Sequence, residues 1–127
     1  MIRDMDLIRD VLLAIEKTNE PISRIEPDIP CRSDKEVAYH IMLLSQAGLI
    51  GAHDASTVGE DGFNWFATNL TWQGHEYLDT IRDPEIWRKT KEGAQKVGGF
   101  SLDLMTALAK GLLKKKIQNI TGVELDY

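Results

Sequence analysis

The segment from Ser33 to Leu49 carries both a helix start and a helix stop, which leaves it little freedom. Ser33-Asp34-Lys35-Glu36 is a capping box: the serine hydroxyl accepts an early backbone N–H and the glutamate reaches back to the cap. Ala47-Gly48-Leu49 places glycine at the left-handed position and an apolar residue that folds back over the last turn. A helix therefore begins at Asp34. Its buried stripe is Val37, Ile41 and Leu44, and its opposite face presents Lys35, Ala38, Tyr39, Met42, Ser45 and Gln46.

The flanks follow from the same rules. Met5, Ile8, Leu12 and Ile15, widened by Leu7, Val11 and Ala14, make an amphipathic helix from Asp4 to Thr18, stopped by Asn19 and Pro21. Residues 22 to 32 contain Pro27 and Pro30 and read as a short extended piece around Ile22 to Ile25, then a loop. Leu49 to Ala55 and Phe63 to Leu70 predict two strands of a hairpin around the turn-rich Ser56 to Gly62. Thr71 caps a helix that restarts at Asp83-Pro84-Glu85, so residues 72 to 97 are a kinked helix or two helices. Gly98-Gly99 breaks the chain, and Ser101 opens a last helix ending near Lys116 or Ile117.

Leu70-Thr71-Trp72-Gln73-Gly74, standing after the hairpin, is similar to the strand-to-helix junction of winged-helix regulators. The run Tyr39 to Ile50, ending in Ala-Gly-Leu-Ile, resembles their recognition helix and its exit. More narrowly, Arg3 to Arg9, Tyr39 to Ile50 and Leu70 through Trp87 resemble a bacterial and phage domain family of unknown function. The resemblance implies an α+β, mostly α chain: a winged-helix domain with a two-stranded wing at residues 1–82, a C-terminal helical extension at 83–117 and a flexible tail at 118–127. It also implies a DNA-binding transcriptional regulator that dimerises through its C-terminal helices. One departure stands out, because only Pro21 to Arg32 is available for the helix that braces a recognition helix across the DNA backbone.

On that reading Lys35, Tyr39, Met42, Ser45 and Gln46 are the candidate nucleic-acid-binding residues, with Gln46 and Ser45 reaching base edges and Lys35 a phosphate. Charge opposes it. Residues 1 to 70 hold six Lys/Arg against twelve Asp/Glu, and the wing tip carries Glu60 and Asp61 rather than basic residues. A solvated or protein-contacting helix face is the simpler expectation, and a protein-interaction or dimerisation module without DNA binding is the alternative function. Leu104, Met105, Leu108 and Leu112 are its candidate interaction stripe.

Other groups have plain explanations. Phe63, Trp65 and Phe66 are expected in the core, with base stacking as the alternative. Lys110, Lys114, Lys115 and Lys116 complement the negative end of the last helix. The histidines His40, His53 and His75 show no metal spacing, so neither metal nor cofactor is expected. Absent a phosphate loop, nucleophile elbow or paired carboxylates, no catalytic residue and no small-molecule ligand is expected. The lone Cys31 forbids an internal disulfide, and no apolar run approaches the ~20 residues of a membrane span, so a cytoplasmic protein is expected.

Overall fold

A computed structural model describes residues 1–123. The chain is α+β and mostly helical, and it divides into two compact units, residues 1–78 and 79–127.

The first unit begins with α1, Met5–Glu16, capped by Asp4, whose carboxylate accepts from the Asp6 and Leu7 amides. Its apolar stripe is buried as expected: Leu7, Val11 and Leu12 lose all contact with solvent, worth roughly 1.5–3 kcal/mol each. The proline-rich stretch that follows forms no helix. Instead Ile25 pairs with Ala67 through two backbone hydrogen bonds of 2.8 and 2.9 Å, the extended piece expected around Ile22 to Ile25.

Helix α2, Asp34–Gln46, keeps both expected ends. The Ser33 hydroxyl accepts from the Glu36 amide and the Glu36 carboxylate from the Ser33 amide. Gly48 sits at φ +76°, where its N–H donates to Ser45 and the Leu49 N–H to Leu44. Strand β1, Ile50–Asp54, then pairs antiparallel with β2, Trp65–Leu70. The register slips between Gly51 and Ala52, so Thr68 is the extra residue on β2. Its carbonyl accepts the Ser23 N–H, which ties the bulge to the Ile25 segment. Helices α1 and α2 cover the hairpin and enclose the core.

Helix α3, Trp72–Ile81, starts at a tight junction that explains two sequence motifs together. Thr71 donates its hydroxyl to the Gly48 carbonyl at 2.6 Å, accepts the Gly74 N–H at 3.1 Å, and sends its own N–H to the Leu49 carbonyl at 3.0 Å. A Cβ on Gly74 would stand 1.9 Å from that same Leu49 oxygen. The exit of α2 and the entry of α3 are thus one hydrogen-bonded knot, and only glycine permits the approach.

The boundary between units falls within α3. In the second unit α4, Pro84–Val97, is capped by Asp83 and ends at Gly98 with φ +86°. It packs against α5, Leu102–Thr121, capped by Ser101. Helix α5 runs past the expected end near Lys116 to a glycine stop at Gly122, so residues 118–121 of the expected tail are helical and 124–127 lie outside the described residues. The lysines do not end this helix, and the left-handed Gly122 does. Among the described residues, no helix is long and apolar enough to cross a membrane.

Candidate nucleic-acid interface

Residues Lys35, Tyr39, Met42 and Gln46 follow one another at helical spacing and share a face of α2, with Ser45 beside it. Lys35 and Gln46 are exposed, while Tyr39, Met42 and Ser45 are half-buried. Ala38 does not belong to this face, because it is buried at 4% exposure. Helix α2 is covered by α1, β1 and β2 at once, which widens its buried arc to Val37, Ala38, His40, Ile41 and Leu44.

The electrostatics of the face are set by its neighbours. The Lys35 ammonium lies 4.0 Å from the Asp61 carboxylate at the wing turn, and Asp34 and Glu36 flank it in sequence. The base of the wing is ordered by Ser56, whose amide donates to Asp54 and whose hydroxyl bridges the Asn64 backbone. The Ser56 hydroxyl and amide hold the Asp54 carboxyl below its ordinary range, so this acid stays charged. Glu60 and Asp61 at the turn are exposed.

The wing aromatics do not enter the core. Phe63, Trp65 and Phe66 are all half-buried, whereas the fully buried side chains of α1 and α2 include Leu7, Leu12, Ile41 and Leu44. Phe66 is held between the Arg24 guanidinium, 4.3 Å from its centroid, and the His53 ring at 5.4 Å. Trp65 borders a cleft of about 360 Å³ whose other walls are Glu26, Pro27, Asp28, Asp34, Val37, Ala38, Ile41 and Asn64.

Sequence reasoning missed a polar clamp beside this face. Buried His40 accepts the Asp4 N–H on Nε2 at 2.9 Å, and its Nδ1 donates to the Glu36 carbonyl at 2.8 Å. A carbonyl can only accept, so the ring is the neutral Nδ1–H tautomer. Arg32 reaches the Asp4 carboxylate at 2.7 Å and Glu36 at 3.4 Å. Partial burial pulls the Asp4 acid upward, but Arg32 and the Leu7 and Asp6 amides outweigh it and hold the carboxyl below its ordinary range. The clamp joins the first turns of α1 and α2 and takes Arg32 out of play as a phosphate ligand. Its signal was the position of His40, three residues after Val37 and four before Leu44, on the buried stripe.

The second candidate set lies on α5. Met105 is buried, and Leu104, Leu108 and Leu112 are half-buried. A Cβ on Gly93 of α4 would lie 3.4 Å from Leu108, so that leucine packs over α4. Several basic residues of this unit have internal partners, among them Arg88 with Glu92 at 2.8 Å, Lys89 with Glu85 at 3.2 Å, and Lys116 with Asp83. Among the described residues, no cluster of His, Cys, Asp or Glu is arranged to hold a metal ion.

The fold and these surfaces define a small, mostly helical α+β protein with an acidic hairpin face. Residues 2–101 match the family described as hypothetical protein (DUF2513), and the chain belongs to that family. It is similar to an uncharacterized protein of Haemophilus influenzae (strain ATCC 51907 / DSM 11121 / KW20 / Rd), 39% identical over 119 residues, which cover 92% of this chain and 99% of the relative. No solved structure matches.

Proposed function

We propose that the chain is a non-enzymatic winged-helix module that works by docking another protein rather than by reading a duplex. The winged-helix assignment is supported by the order helix, extended piece, helix, hairpin, helix, and by Ile25 pairing onto the second hairpin strand as a third strand would. The observation that carries the functional reading is the state of Lys35. It is the one Lys or Arg of α2, it lies 4.0 Å from Asp61, and Asp34 and Glu36 flank it in sequence. Phosphate contacts supply most of the affinity of duplex readers, and this face offers a polyanion a net repulsion.

The brace expected of a helix-turn-helix supports the same reading, because residues 17–33 contain no helix to lie across a DNA backbone. Fluorescence anisotropy of a labelled random duplex at low salt tests the proposal: no retention is expected, and retention that falls steeply with added salt overturns it. A second reading, a dimeric DNA-linked regulator of the cytoplasm, draws on one specific feature. The exit of α2 is tied to the helix that follows the wing, and Gln46 is exposed at the end of the face. Two half-sites on a dimer would compensate for weak single contacts.

A further inference from the structure

The cleft beside Trp65 is lined by apolar, aromatic and acidic residues together. Its floor is Val37, Ala38 and Ile41 of α2, apolar and nearly solvent-free. One wall is the half-buried indole of Trp65 with Asn64, and the other is the Glu26-Pro27-Asp28 stretch of the proline-rich segment. Carboxylates from separate stretches, Glu26, Asp28 and Asp34, stand at its edge. Glu26 is paired with Arg24 at 3.2 Å, whereas Asp28 and Asp34 have no ion pair among the described residues. Residues 26–33, which include the Glu26-Pro27-Asp28 wall, pass this part of α2 as a loop rather than a helix.

An apolar floor, an aromatic wall and an acidic edge are together complementary to one kind of group: a long aliphatic stem ending in a cation. A volume of about 360 Å³ admits a full side chain of that length with room for its backbone. We propose that this cleft receives a lysine or arginine side chain from a basic segment of a partner protein, an inference that rests on the protein-docking reading above. The stem lies on Val37, Ala38 and Ile41, the cation faces Trp65, and Asp28 and Asp34 neutralise it. The charge of the surrounding unit, with six Lys/Arg against twelve Asp/Glu over residues 1 to 70, steers such a segment toward the cleft.

The test is a titration of the full chain with a capped peptide of alternating lysine, arginine and glycine, followed through the Trp65 indole N–H resonance and assigned with Trp65→Phe. The same peptide with glutamate in place of its cations is the control. Saturable movement of the Trp65 signal with the basic peptide alone is expected, with affinity weakened at least tenfold in Asp28→Asn/Asp34→Asn. Both substituted positions are exposed, so the variant keeps its fold, which its melting curve verifies. A Trp65 signal that does not move, or a double variant that binds the basic peptide as tightly as the parent, overturns the inference. Failure here with no duplex retention removes the cleft but leaves the docking reading standing, whereas duplex retention removes the docking reading itself.

Discussion

Gly74→Ala separates local helix propensity from tertiary packing more sharply than any other single change. Gly74 lies in the first turn of α3, and alanine is favoured over glycine in a helix by about 1 kcal/mol. Propensity alone therefore predicts stabilisation. In the folded chain the new Cβ would stand 1.9 Å from the Leu49 oxygen and 3.0 Å from its carbonyl carbon, both backbone atoms held by the α2 exit. That oxygen also accepts the Thr71 N–H at 3.0 Å. Overpacking of this kind costs ~1–3 kcal/mol, and losing the Thr71 bond adds about 1 kcal/mol. The net expectation is a loss of about 2 kcal/mol. Urea unfolding followed by far-ultraviolet circular dichroism measures it, with Gly111→Ala as the matched control. Gly111 has open space where its Cβ would go, so the control should gain about 0.5–1 kcal/mol. If Gly74→Ala is as stable as the parent, or more so, the knot between the α2 exit and α3 is not what holds the junction.

The polar clamp yields two further expectations. His40→Leu leaves the Asp4 N–H without its acceptor and should cost about 1–3 kcal/mol, read as a lower urea midpoint. The Asp4 carboxyl is held below its ordinary value of 3.8 when folded, so its contribution is complete above that value and disappears as pH falls through the lowered one. Arg32→Ala should therefore flatten the parent's loss of stability on the acid side of pH 3.8, measured by melting temperature against pH. In the second unit, Asp83 both caps α4 and pairs with Lys116. Asp83→Ala, which removes both cap and pair, should lower the melting temperature clearly more than Lys116→Ala, which removes only an exposed pair, and the reverse order in thermal melts would contradict this division.

Much of the architecture was legible because it is written in local chemistry. Ser33 and Glu36 start α2, Gly48 and Leu49 stop it, and Asp83, Pro84, Gly98 and Ser101 punctuate the second unit as their side chains and backbone angles require. What the sequence concealed depends on contacts between distant residues. Whether Phe63, Trp65 and Phe66 are core or rim is decided by how much space α1 and α2 leave over the hairpin, which no period of two reports. Ala38 enters the core because α2 meets neighbours on several sides. The pairing of Arg32 with Asp4, 28 positions apart in the chain, likewise leaves no local sequence signal. The cleft depends on where the loop carrying Pro27 passes α2 and β2, which the sequence marks only with prolines at 27 and 30.

Whether the outer face of α2 meets nucleic acid separates a docking module from a duplex reader. An amide shift map of the labelled chain, titrated with random duplex DNA at low salt, addresses that residue by residue. Unmoved resonances at Lys35, Tyr39, Met42, Ser45 and Gln46 are the predicted result, since Lys35 is the one Lys or Arg of α2 and lies 4.0 Å from Asp61. Concerted, saturable shifts at those five residues would show that the helix reads a duplex and would contradict the central claim.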